Sequence, residues 1–175
     1  MASFNTTATM RRILRIPAGD ESYTDTELQE FLDEAQADMF SEIKRQKEID
    51  TFCVDWNKWG AVQTEHKFLL APVTSVFEVY ANGVLVSNTD YTLNADRDVL
   101  IFLNDILNLG ETIEIYYIPD MYTTTERYLC AYNIKITENL LNQDGNSVNL
   151  SANYEKKYKR NIQILKNKIR MATYT

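Results

Sequence analysis

The sequence predicts an α+β fold: a helical bundle of about three to four helices with an inserted small antiparallel β-sheet module. Three observations predict it. Residues 70–119 read LAPVTSVFEVYANGVLVSNTDYTLNADRDVLIFLNDILNLGETIEIYYIP, a succession of apolar runs of strand length, each ended by a turn signal. Within this stretch Asn82-Gly83 separates VFEVYA from VLV. That dipeptide is a strong hairpin signal, because a type I′ turn needs positive φ at both central residues. Apolar residues at three- and four-residue spacing flank the stretch on both sides, as amphipathic helices require.

Taken in order, residues 1–19 form an N-terminal arm. MASFNTTATMRRILRIPAG has three arginines, several Ser and Thr and no acid before Asp20, which imitates a transit peptide. The alternative is an arm that orders on a partner. Its patch from Met10 to Ile16 fits one helical turn or a strand, stopped by Pro17 and Gly19. A core follows over 20–141. Thr24-Asp25-Thr26-Glu27 is a capping box that starts a helix over 25–47. Leu28, Phe31, Leu32, Ala35, Met39 and Ile43 form its buried stripe. A β module spans 51–118: roughly four or five strands form a small antiparallel sheet over 70–119, and short strands near 51–55 and 64–70 precede them. Its first strand lies near Thr51–Asp55, and its last, Thr112 to Tyr117, alternates with Ile113, Ile115 and Tyr117 on one face. Between them, Trp56 and Trp59 either pack a helix–sheet junction or stack bases or sugars. Thr123-Thr124-Thr125-Glu126 offers a second capping box for a helix over 124–141, with Tyr128 or Leu129, Tyr132, Ile136 and Leu140 inward. Residues 142–151 are a hinge loop. A C-terminal helix over 152–175 carries the stripe Tyr154, Tyr158, Ile162, Leu165 and Ile169, and the hinge lets it reach away from the body.

A chain of 175 residues with 45% hydrophobic content suits one domain with a real core. No apolar run approaches the roughly 18 residues of a membrane helix, so no membrane partner is expected. Cys53 and Cys130 are far apart and read as reduced, structural thiols in a cytoplasmic setting. With the single histidine, His66, they are too few for a zinc site without carboxylate help. The net charge of −7 is unevenly placed. The last 24 residues hold seven bases (Lys156, Lys157, Lys159, Arg160, Lys166, Lys168, Arg170) and one acid, Glu155. That segment is +6, which leaves −13 for the rest. Such asymmetry points to an acidic partner: nucleic acid, an acidic protein surface, or the acidic part of a neighbouring copy. The opposite sign is carried by Glu27, Glu30, Glu34, Asp38 and Glu42, which recur on one face of the first long helix. They are either a solvated face or an acidic surface used in assembly. Like charges one turn apart cost a few tenths of a kcal/mol per pair in an isolated helix.

Motifs that carry chemistry are missing. There is no GxxxxGK[ST], GxGxxG, HExxH or GxSxG. Any Ser/His/Asp or Cys/His arrangement must use His66, which lies in EHKFLL and is expected to be an exposed strand histidine. No carboxylate pair is singled out by spacing. The expectation is therefore a non-enzyme with no catalytic residue, cofactor or metal. The basic helix has the cation density of a phosphate-binding element but not the order of a known reading motif. The acidic remainder would repel a duplex. Eleven tyrosines fit extensive interfaces as well as a core.

The order of elements and several phrases carry a resemblance. TDTELQEFLDEAQADMFSEI leads to LLAPVTSVFEVYANGVLV, then DYTLNADRDVLIFL, ETIEIYYIPDMY and TTTERYLCAYNI. Over Thr24–Leu141 this resembles the gp6-like head–tail connector (adaptor) proteins of tailed bacteriophages. It departs at Asp120-Met121, where a glycine-containing turn is common, and in the extra helix 152–175. The resemblance implies a structural virion protein, made in the host cytoplasm and located in the neck. It would form a homo-oligomeric ring, usually of twelve copies, between the portal protein and the tail or stopper proteins. DNA passes through the lumen of such a ring without sequence-specific binding. On this reading the seven bases dock on the portal or the next subunit. The carboxylates of the first long helix form an assembly or lumen face, and Asn82 and Gly83 form a hairpin-tip contact. The alternative is a small nucleic-acid- or protein-binding module that uses the basic helix.

Overall fold

The computed structural model describes residues 3–17, 22–103, 105–142 and 145–172, with side chains outside 139–148 and 168–172. The chain divides into a helical unit, residues 1–45 with 121–175, and a β unit, residues 46–120. The α+β class expected from the sequence is the class observed.

The helical unit begins with α1 (Thr7–Leu14), which buries Met10 and Leu14. Thr6 caps it by accepting from the Thr9 N–H at 3.2 Å, and Arg15 ends it in the left-handed region at φ 58°. The arm is thus a helix rather than a strand, and it is packed within this chain. Next comes α2 (Asp25–Ile43). Its capping box forms as read: the Thr24 hydroxyl accepts from the Glu27 N–H at 3.2 Å, and Glu27 accepts from the Thr24 N–H at 2.7 Å. The helix stops at Ile43 instead of Lys47. Lys44 turns left-handed and donates its N–H to the Phe40 carbonyl, after which Glu48 enters a strand. Leu28, Leu32, Ala35, Met39 and Ile43 are buried, as is Gln36, which hydropathy does not mark.

α3 (Asp120–Asn142) begins four residues earlier than expected. The Thr123–Glu126 stretch is helix interior, so it caps nothing. Its inner face is Tyr122, Thr125, Glu126, Leu129, Cys130, Ala131 and Ile134, while Tyr132 and Ile136 are half-buried. Leu140 lies outside the described side chains. Leu129, one of the two alternatives expected inward, is on this face, and the rest differs because the face is built around the buried carboxylate of Glu126, which the sequence pattern assigns to a capping box. α4 (Gly145–Ala172) absorbs most of the stretch read as a hinge, and residues 143–144 lie outside those described. Instead of reaching away, α4 buries Ser151, Tyr158, Ile162 and Leu165 in the unit. The side chain of Ile169 lies outside the described residues.

Among the described residues the β unit holds seven strands, five of them within 70–119 as expected, but they divide into two sheets where one was expected over that stretch. β1 (Glu48–Cys53), β3 (Val73–Ala81), β4 (Val84–Leu85) and β7 (Thr112–Pro119) form one sheet in the order β1-β7-β3-β4. β2 (Glu65–Lys67), β5 (Tyr91–Leu93) and β6 (Val99–Phe102) form the other in the order β2-β6-β5. All pairs are antiparallel. β7 alternates as read, with Ile113, Ile115 and Tyr117 buried. Asn82 at φ 49° and Gly83 at φ 79° make the β3–β4 turn.

Aromatic rings join the sheets. Phe52 stacks on His66 with centroids 4.5 Å apart, and Phe68 meets Tyr117 at 4.6 Å. Asp50, 2% exposed, sits between them. It accepts from the Tyr117 hydroxyl at 2.9 Å and the Leu69 N–H at 3.1 Å, and His66 Nε2 lies 2.9 Å from it. His66 is therefore a sheltered structural partner and not the exposed strand histidine expected. Burial, then the Asp50 charge, pushes the Tyr117 hydroxyl well above its ordinary pKa.

Removing Asp50 takes the acceptor from the buried Tyr117 hydroxyl and breaks the part-buried contacts to His66 and the Leu69 N–H. Asp50→Ala should lose about 3 kcal/mol of stability in urea titrations followed by circular dichroism. A loss below about 1 kcal/mol would show that the cluster is not what couples the sheets.

Candidate assembly surfaces

The acidic stripe on α2 winds around the helix. Each four-residue step turns a side chain by about 40°, since 3.6 residues make a turn. Its five carboxylates therefore meet different surroundings. Glu27 is used by the capping box, and the Thr24 N–H lowers its pKa. Glu30, Glu34 and Asp38 are exposed, and none has an ion pair among the described residues. Glu42 reaches the seam with α4. There it accepts from the Tyr158 hydroxyl at 2.5 Å and from Lys166 Nζ at 2.8 Å. Partial burial pushes the Glu42 carboxyl up, but Lys166 and Tyr158 outweigh this and leave its pKa below the ordinary value. Burial, then the same Glu42 contact, pushes the Tyr158 hydroxyl up.

The bases of α4 fan out in the same way around its buried stripe. Lys166 faces α2 and pairs with Glu42. Lys157 lies over the rings of Tyr128 and Tyr154, at 5.2 and 6.0 Å. Lys159 pairs with Glu155 at 2.5 Å, and that contact raises its pKa. Lys156 and Arg160 lie on the side away from Tyr158, Ile162 and Leu165 and are exposed, with no ion pair among the described residues. The side chains of Lys168 and Arg170 lie outside the described residues. The sequence grouped seven bases, and the structure leaves Lys156 and Arg160 as the unengaged pair among those described.

At the hairpin tip Asn82 is already occupied. Its side chain accepts from the Thr112 N–H at 2.9 Å, and its own N–H donates to the Thr112 carbonyl at 2.8 Å. Gly83 has open space around it, and the neighbouring Val84 and Leu85 are exposed. The tryptophans pack no helix–sheet junction, since Trp56 is 58% and Trp59 81% exposed. The Asn57 side chain holds their loop by accepting from the N–H groups of Trp59 and Ala61 at 2.9 and 3.1 Å. Two open concavities of about 310 and 490 Å³ flank it. The first contains one titratable side chain, Asp105, and the second Lys58 and Glu65. Among the described residues no group of three or more His, Cys, Asp or Glu is placed to hold a metal ion, and no helix is long and apolar enough to cross a membrane.

Sequence reasoning missed a polar socket in the helical unit. Glu126 is fully buried. It accepts from the Phe4 N–H at 2.9 Å, the Asn5 N–H at 2.8 Å, Asn5 Nδ2 at 2.5 Å and Gln36 Nε2 at 3.3 Å. Burial raises its pKa, partly offset by the Asn5 side chain and the two arm amides. Phe4 packs edge-on against Phe40 at 5.7 Å. Arg11 ties the arm to the start of α2 through Asp25 at 2.8 Å and the Tyr23 carbonyl at 2.6 Å. A signal was present, because Glu126 falls three positions before Leu129 on the apolar face.

No protein-family model matches the chain, and no curated protein matches it. Among solved structures, a chain from the neck of an empty GTA particle computed with C6 symmetry is 19% identical. The match covers 71% of this chain and 74% of that one, at a TM-score of 0.27. A likeness at that level carries no argument about fold or role.

Two outcomes follow from this geometry. Glu126→Ala should cost about 2–3 kcal/mol and speed amide exchange at Phe4 and Asn5, read by hydrogen–deuterium exchange. Unchanged protection of those amides would contradict the socket. Glu42 has a lowered folded-state pKa, so its contribution is present above the unfolded value of about 4.3 and is lost as pH falls through the folded value. Glu42→Gln should therefore be less stable than the parent near neutral pH and converge with it in acid, as urea midpoints measured against pH will show.

Proposed function

We propose that this chain is a non-catalytic structural protein of a virion neck. In this reading it is one copy of a connector ring that joins portal to tail and surrounds the DNA channel. The observation that carries the reading is the separation of unpaired charge within one helical unit. Glu30 and Glu34 stand free on α2, and Lys156 and Arg160 stand free on α4. A monomer gains nothing from keeping such faces apart, whereas neighbours in an assembly can use them. The resemblance of Thr24–Leu141 to gp6-like connectors supports the same reading through the order of its elements. In the proposal the basic face docks on the portal or an adjacent subunit, and the Val84–Leu85 hairpin end makes a further contact.

Charge also supports the accompanying role for DNA. The β unit carries twelve acids and four bases, a net −8. A wall of that sign lets a duplex slide without adhering. Among the described side chains of α4, Lys156 and Arg160 are the two bases left unengaged, few for gripping a phosphate backbone, so the alternative that uses this helix on nucleic acid has less support.

Electron microscopy of the purified protein and of particles from the producing cell tests the proposal. Rings, and the chain's presence in the particle neck, are the expected result. A strictly single chain that is absent from particles would overturn it.

A further inference from the structure

We infer that the acidic outer face of α2 on one copy receives the basic outer face of α4 on a second copy, with Glu30 and Glu34 opposite Lys156 and Arg160. This rests on the proposed assembly and names which surface meets which.

Each α4 base that does not take part is already engaged or lies outside the described side chains. Lys166 is held by Glu42, Lys159 by Glu155, and Lys157 by two tyrosine rings. Lys156 and Arg160 remain, one helical turn apart. On α2 the capping box takes Glu27 and the α4 seam takes Glu42. Glu30 and Glu34 remain, also one turn apart. Both pairs are therefore spaced by about 6 Å along their helices, so two ion pairs can form together when the helices lie side by side. Asp38, exposed and one turn further along α2, extends the acidic face toward the seam.

The pairing cannot close within one chain. Glu30 and Glu34 lie away from the buried stripe of α2, and Lys156 and Arg160 lie away from that of α4. The intrachain seam is instead filled by Glu42, Tyr158 and Lys166. A second copy supplies the missing sign on each side. Because the two faces are different surfaces, the contact is head-to-tail. It leaves an unused acidic face at one end and an unused basic face at the other, and repetition closes a ring when the rotation between copies permits.

Charge reversal tests this. Lys156→Glu with Arg160→Glu, and separately Glu30→Lys with Glu34→Lys, should each weaken self-association about tenfold, measured by light scattering at low salt. The chain carrying all four substitutions should recover it. Circular dichroism establishes that each variant is folded, which is expected because all four side chains are exposed. Normal association in both double variants would overturn the pairing. So would a loss in both that the fourfold variant fails to recover. In either case wild-type rings would leave the neck reading standing. A wild-type chain that forms no ring and enters no particle would instead remove the reading on which the inference rests.

Discussion

A carboxylate taken out of water must be met by donors, and this constraint organises both units. Asp50 and Glu126 are the two cases. An unpaired buried charge is costly enough to shift its pKa or unfold its surroundings. Each is surrounded by groups from distant parts of the chain, and at Glu126 burial still holds the carboxyl above its ordinary pKa. Asp50 gathers Tyr117 from β7, His66 from β2 and the Leu69 amide, so one side chain fixes how the two sheets meet. Glu126 gathers the arm and α2 onto α3. The apolar contacts around them supply most of the burial, but such contacts are non-directional. The hydrogen bonds choose one arrangement among the many that the same apolar surface allows.

This explains which parts of the fold were legible in the sequence. The α2 cap, its apolar stripe, the Asn82-Gly83 turn and the alternation of β7 all depend on local chemistry or on short-range period, and all were readable. The α3 face was not, because a single charged residue on it contradicted the hydropathy pattern. His66 was assigned to solvent for the same reason, since its partner Asp50 lies sixteen residues away on another strand. The division of strands into two sheets depends on pairings such as β2 with β6, which no local pattern encodes. The surfaces show a similar limit. Sequence counted the charges correctly but could not sort those consumed inside the chain from those left over.

The outer charges and the inner carboxylates play opposite parts. The inner ones are fully satisfied within one chain and hold each unit together. Of the outer ones, Glu30, Glu34, Lys156 and Arg160 have no ion pair among the described residues, and such exposed charges are weak singly, since exposed pairs contribute little in salt water.

The tryptophan loop has a practical consequence. Both indoles of the chain lie on it, and both already face water. Light emitted by this protein on ultraviolet excitation of tryptophan therefore originates in one corner of the β unit. Its colour will change little when the chain loses its structure and most when another molecule covers that corner, so intrinsic fluorescence will be a poor thermometer of folding and a sensitive gauge of contact.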